Sequence, residues 1–366
     1  MQLTPRLLAA ALALPGLGVQ ADDPPEAATA ALKLLDYRES QPGADRVKVK
    51  APAFSLVLPL GSRWSAAGTA ITDSISGASP AYHTSGLGKL KDFRRAADLS
   101  VSRYFANATL TVGGSISSEA DYLSRGLSVQ GSLSSADRNT TWTLGLAAIS
   151  DRINPVNDIV DDERKRSTDL LAGLTQVLGT HDIVQFNVGY RRGRGYFSDP
   201  YKVFDNRPRS RDQRTLQARW NHHLDATGGT LRSSWRWYGD SYGIRAHTLG
   251  LEYVQPLPAG WTLTPLLRVH TQSAARFYVP ADPSTEPFPP NPPEGAMHYT
   301  EDQRLSAFGA RTLGIKLAWQ VNPDWQTDIK VERYAQRGSW RLFGSGSTDL
   351  QPFDARSIQV GLSRRF

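Results

Sequence analysis

The sequence has no cysteine among its 366 residues and only two methionines. That absence excludes disulfide frameworks, cysteine-ligated metal centres and covalently attached c-type haem, which requires Cys-x-x-Cys-His. Downstream of residue 21 it also lacks any run of about 18 apolar residues, so no segment can cross a bilayer as a helix. Histidine is scarce as well, with seven residues. His222 and His223 are adjacent and point to opposite faces of a strand, and no His-x-His or His-x-x-x-His pair occurs, so no metal or other cofactor site is expected. The formal net charge of +7 raises the question of nucleic acid. The basic residues are spread along the chain rather than gathered in a patch, however, and export would remove that partner, so none is expected.

What the sequence does contain is aromatic residues, with nine Trp, thirteen Tyr and twelve Phe, and an export signal. Arg6 is the only charge before Asp22, the stretch Leu7 to Val19 is largely apolar, and Val19-Gln20-Ala21 offers a small-x-Ala cleavage site. Residues 1–21 are therefore read as a signal peptide. Residues 22–30 are expected to form a periplasmic lead-in, Asp22 to Leu35 being the one stretch compatible with helix, and 31–366 a single domain.

Beyond the lead-in, period-2 alternation dominates. Leu313, Ile315, Leu317, Trp319 and Val321 face one way against Gly314, Lys316, Ala318 and Gln320. Trp325, Thr327, Ile329 and Val331 alternate with Gln326, Asp328, Lys330 and Glu332, and Thr141–Ser150 and Ile183–Arg191 repeat the pattern. These segments run roughly 9 to 14 residues, longer than sandwich strands and long enough for a tilted strand to cross a bilayer. Connections alternate too. Tight turns rich in Gly, Pro, Asn and Asp fall near 59–62, 105–108, 136–139, 178–181, 226–229, 257–260 and 321–324. Between them lie mostly longer ones, notably 76–91, 151–164, 194–210, 278–301 and 338–354, with short ones near 40–45, 119–122 and 239–243. Seven tight turns and eight outer connections predict an all-β fold, a transmembrane antiparallel barrel of about sixteen strands with short periplasmic turns and longer extracellular loops. Trp64, Tyr104, Phe105, Trp142, Trp220, Trp261, Trp319 and Trp325 lie beside the tight turns, where an interfacial girdle belongs.

Inward positions then include Gln217, Arg219, Arg232, Arg236, Glu252, Arg268, Lys316, Asp328, Lys330 and Glu332. Charges of both signs inside a barrel pair across the lumen or line a water-filled pore, and the excess of Arg favours anions. Loop 154–163 is acidic but lacks EF-hand spacing, and Pro280 to Pro293 reads as an extended loop. A hydrolase would need a rim-borne catalytic set, for which Asp240 and His247 are the sole candidates.

Several motifs resemble an uncharacterised bacterial family, the domain-of-unknown-function family 3570. They include Tyr37-Arg-Glu-Ser40, Thr72-Asp-Ser-Ile-Ser-Gly-Ala-Ser-Pro80, Asp92-Phe-Arg-Arg-Ala-Ala-Asp-Leu-Ser100, Gly195-Tyr-Phe-Ser-Asp-Pro-Tyr-Lys202, Arg207-Pro-Arg-Ser-Arg211 and Gly243-Ile-Arg-Ala-His-Thr248. The resemblance implies an outer-membrane location, and members of that family are often encoded near a periplasmic flavin-attaching transferase and a thioredoxin-like protein. Many matching motifs fall at strand ends, making Ser74, Ser76, Tyr196, Asp199, Tyr201, Lys202, Arg245 and His247 a candidate outer rim. The last segment, Ser357 to Phe366, alternates Ile358, Val360, Leu362 and Phe366 against polar residues. It reads as the closing strand, pairing with the first near Leu32 to Arg38. Gly361 and Phe366 resemble a barrel-insertion signal, from which Arg364 departs because an apolar residue is usual there. The expected function is a non-enzymatic pore for small polar or anionic solutes. The alternatives are a closed-lumen scaffold or partner of an envelope redox or flavin assembly, and an outer-membrane hydrolase. Expected partners are outer-membrane lipid, the outer-membrane insertion machinery and envelope proteins.

Overall fold

A computed structural model describes residues 23–42, 46–77, 90–202, 204–280 and 293–366; the signal peptide and most of the proline-rich loop fall outside them. In chain order the strands are β1 (Thr29–Ser40), β2 (Lys48–Pro59), β3 (Trp64–Gly77), β4 (Leu90–Tyr104), β5 (Ala108–Ser118), β6 (Tyr122–Ser134), β7 (Thr140–Ile153), β8 (Glu163–Val177) and β9 (Asp182–Gly195). Then follow β10 (Asp205–Asn206), β11 (Ser210–Leu224), β12 (Gly229–Asp240), β13 (Arg245–Pro256), β14 (Trp261–Gln272), β15 (Tyr299–Thr300), β16 (Phe308–Gln320), β17 (Trp325–Arg337) and β18 (Phe353–Arg365). Sixteen of them close an antiparallel barrel in which each strand pairs with its sequence neighbour, while β10 and β15 form a separate two-stranded sheet. Among the described residues no helix is long and apolar enough to cross a membrane.

Alternation explains the closure. Leu32, Leu34, Leu127, Leu144, Leu313 and Ile358 are exposed on the outer wall, while their neighbours Lys33, Leu35, Gln359 and Thr312 are buried inside. An outer face that sheds water and an inner face that holds polar groups satisfy every backbone hydrogen bond only when the sheet has no edge. The seam is β1 against β18, with Thr29 opposite Arg365 and Ser40 opposite Asp354. The strand thus begins at Thr29, two residues before the expected boundary, and residues 29–35 are strand rather than helix. Their alternating Leu32 and Leu34 outside against Lys33 and Leu35 inside fit a two-faced wall, which outweighs the helix propensity of the alanines.

The tight-turn end carries the aromatic belt. Trp261 and Trp319, directly opposite each other, stack at 5.2 Å between ring centroids. Arg103 lies over Trp64 and Phe105, and Arg364 over Trp325 and Phe366. Arg364, out of place in an insertion signal, thus rests its guanidinium on interfacial rings. Tyr104 leaves the belt: it is buried inside, its hydroxyl 2.9 Å from that of Ser65.

Candidate functional site: the lumen wall and its mouth

The inner wall differs from side to side. Near the seam it is packed: Leu35, Val47, Val49, Ala51 and Ala53 form an apolar cluster against Tyr37 and Ile71. Beside it Lys33, 3% exposed, shares a polar row with Gly361 and Asp328, which stand on successive strands. Lys316 Nζ is 3.8 Å from Asp328, and Lys330 3.1 Å from Glu332. A Cβ on Gly361 would lie 2.5 Å from the Asp328 carboxylate, so glycine there makes room for a charge.

Across the barrel the wall is cationic. Arg219 on β11 stands opposite Ser234 on β12, Ser234 opposite Gly250 on β13, and Gly250 opposite Arg268 on β14, which places all four in one row. Arg236 sits in the next row toward the mouth, between Gln217 and Thr248, and Arg232 in the next row toward the turns, between Asn221 and Glu252. The result is a diamond of four guanidinium groups around a floor of serine and glycine. All four arginines point inward yet are exposed to solvent. Among the described residues none of them forms an ion pair within 4 Å, although Glu252 stands opposite Arg232. Below the mouth the Thr248 hydroxyl and His270 Nδ1 are 2.9 Å apart, continuing the polar wall.

The mouth is crossed by a charged knot. Arg207 donates to Asp205 at 2.6 Å and to Asp302 at 2.9 Å, and the Thr300 hydroxyl to Asp205 at 2.6 Å, tying loop 196–209 to loop 273–307 across the β10–β15 sheet. Arg304 closes on Asp302 and Asp199. Burial opposes ionisation of Asp302, but Arg304 and Arg207 more than offset it and hold the group well below the usual carboxylate range. Glu301 is the odd member. It is 5% exposed, neither carboxylate oxygen is hydrogen bonded, and its nearest cation is Lys202 at 3.8 Å. Burial pushes it up to about 7, with Lys202 opposing and the carboxylates of Asp205, Asp302 and Asp199 adding to the rise. Tyr242, Ile244, Ala275 and Leu305, with Phe197 and Phe277, pack as an apolar layer beside this knot.

Of the expected rim residues, Tyr196, Asp199, Tyr201 and Lys202 come together in loop 196–209, Tyr196 under Arg209. Ser74 is elsewhere, exposed on the outer face of β3, and the side chain of Ser76 lies outside the described residues. Arg245 and His247 face outward on β13. His247 accepts from Trp235 and meets Phe343, while Asp240 faces inward against Arg211 and Tyr238. Asp240 and His247 are thus on opposite faces of the wall, because the even-numbered residues of β12 and β13 face the lumen and the odd-numbered ones face outward, and they make no catalytic pair. In the acidic loop Asp162 is neutralised by Arg152 and Arg164, and among the described residues no group of three His, Asp or Glu could hold a metal. Asp205, Glu301, Asp302 and Arg304 were not singled out by the sequence reading. Only the Arg207–Arg211 motif hinted at the knot, since its charge pairs join residues about a hundred positions apart with no local signature.

A closed sixteen-strand barrel with an apolar outer wall, an aromatic belt at the tight-turn end and long loops at the other is an outer-membrane β-barrel protein. The chain belongs to the family described as Protein of unknown function (DUF3570), whose model matches residues 84–356. No curated protein matches it. Among solved structures it is similar to a bacterial polysaccharide outer membrane secretin, at TM-score 0.53 and 9% identity, over 93% of this chain and 98% of that one. It is also similar to the siderophore receptor PirA from Pseudomonas aeruginosa, at TM-score 0.46 and 10% identity over 94% and 81% of the two chains. A third likeness is to Pseudomonas aeruginosa OccK2 (OpdF) in complex with glucuronate, at TM-score 0.46 and 14% identity over 93% and 98%. At these identities the likeness concerns the fold.

Proposed function

We propose that this barrel is a non-enzymatic pore for small anionic solutes. The observation that supports the reading is the diamond of Arg219, Arg232, Arg236 and Arg268, inward-facing, solvent-exposed and without ion pairs among the described residues. Arginine charges held over a serine and glycine floor in a confined lumen attract an anion without closing on it, and a cation entering the same stretch is repelled. The knot at the mouth narrows the entrance. Conductance in planar bilayers is the test. Single-channel steps with a reversal potential favouring chloride over potassium are expected, and replacing the four arginines by Gln should abolish that preference. Absence of resolvable current from folded protein would sink the pore.

A second reading, a closed-lumen scaffold for an envelope assembly, draws on the knot itself, whose buried ion pairs join loop 196–209 to loop 273–307. Under that reading the barrel passes no current and the loops are the docking surface.

A further inference from the structure

The outer wall holds a row of like charges that nothing in the lumen reading uses. Arg38 on β1 stands directly opposite Lys48 on β2 and, on its other side, opposite Arg356 on β18; Arg356 stands in turn opposite Arg333 on β17. All four side chains are exposed and share the outer face with Leu34, Ile358 and Val331. With strands about 4.8 Å apart, four cations span a row about 15 Å long. Like charges directly opposite one another destabilise a sheet. One carboxylate in the row's vicinity relieves part of this, Asp36 accepting from Arg38 at 2.8 Å, and it has Lys50 opposite it as well. Farther out, Asp354 is taken by Arg337 at 2.8 Å. Among the described residues Lys48, Arg333 and Arg356 form no ion pair within 4 Å.

The depth of the row says what can oppose it. Two positions along each strand toward the tight turns, about 7 Å away, Arg356 is followed on the same face by Ile358 and Arg333 by Val331, both exposed and apolar. The charges therefore stand just beyond the hydrocarbon band, on the loop side of the barrel, at the level of lipid headgroups in the outer leaflet. The wall itself separates them from any solute in the lumen. An anion fixed at that depth is one carried by a lipid, and guanidinium forks match phosphate oxygens two at a time. A row 15 Å long, as estimated from strand spacing, accommodates more than one phosphate.

We propose that the outer face of β2, β1, β18 and β17 binds the headgroup of a lipid carrying more than one phosphate in the outer leaflet, through Lys48, Arg38, Arg356 and Arg333. The bound lipid then screens the repulsion across the seam where first and last strands meet, and clamps the closure.

The test uses the full barrel folded in non-ionic detergent, titrated with diphosphoryl lipid A, with the same lipid after enzymatic dephosphorylation, and with inorganic phosphate, bound lipid being counted by native mass spectrometry. The diphosphoryl form should bind about tenfold tighter than the dephosphorylated one. The combined Arg38→Gln, Arg333→Gln, Arg356→Gln variant should lose that difference, while the three Lys replacements keep it within about threefold. Folding of each variant is checked by heat-modifiable migration. Should the Gln variant fail to assemble, Lys48→Gln alone, at the end of the row, should lower affinity about threefold. Equal binding of the two lipid forms, or an undiminished preference in the Gln or Lys48→Gln variants, overturns the proposal. Displacement of the lipid by equimolar inorganic phosphate overturns it too, by assigning the row to a free anion.

Discussion

Tyr201 donates its hydroxyl to the Asp121 carboxylate at 2.7 Å, joining loop 196–209 to the short connection between β5 and β6, and accepts the Val156 amide at 3.3 Å from the connection between β7 and β8. One side chain, 3% exposed, thus ties three outer connections together over the mouth. Tyr201→Phe leaves the packing and removes the donor, so Asp121 loses its partner at a cost of about 1–3 kcal/mol. Faster amide hydrogen exchange throughout loop 196–209, with the strands unchanged, is the expected result, and unchanged exchange would show that the tie carries no weight.

Glu301 makes the knot sensitive to pH. Its folded value, about 7, lies above that of an ordinary glutamate, so the folded knot holds a proton that the opened one releases. The stability this contributes is complete below about pH 4.3 and is lost as pH rises through 7. Exchange of the 273–307 loop, after correction for the intrinsic base-catalysed rate, should therefore accelerate between mildly acidic and neutral pH. Glu301→Gln, which mimics the protonated side chain, should flatten the profile at the slow, acidic level. A wild-type profile flat across that window would refute this assignment.

Gly361 sits against the Asp328 carboxylate with no room for a methyl group. Gly361→Ala must push that carboxylate away from the row it shares with Lys33, at about 1–3 kcal/mol. A lower temperature of heat-modifiable unfolding is expected, and the double change with Asp328→Ala should recover part of the loss.

Asp73 and Arg94 form a buried pair inside the barrel, Arg94 Nε 2.9 Å from Asp73 Oδ2, with both side chains almost fully enclosed. Asp73→Ala strands the guanidinium, and such a loss costs about 3–5 kcal/mol. Replacing both by apolar residues should be milder than the single change, as unfolding in urea can measure.

Much of this architecture was legible because barrel strands write their two faces into adjacent residues. Ile358 outside and Gln359 inside follow from alternation alone, and the turns at 59–62 and 321–324 follow from Gly, Pro, Asn and Asp. The inward direction of Arg219, Arg232, Arg236 and Arg268 could be read in the same way. Their diamond could not, since it depends on register across three successive hairpins. Tyr104 was misplaced for a related reason: proximity to a turn says nothing about which face an aromatic takes.

The sequence by itself determined a barrel of about sixteen strands, the export signal as an expectation, and which side of the wall most strand residues face, because period-2 alternation and turn chemistry are local. Tertiary structure alone decided three things: the β10–β15 knot, the arginine diamond across β11, β12 and β14, and the outer row in which Arg38 meets Arg356. These depend on contacts between residues far apart in the chain, whose juxtaposition is set by closure of the barrel and the stagger of its strands, and no local pattern carries that information.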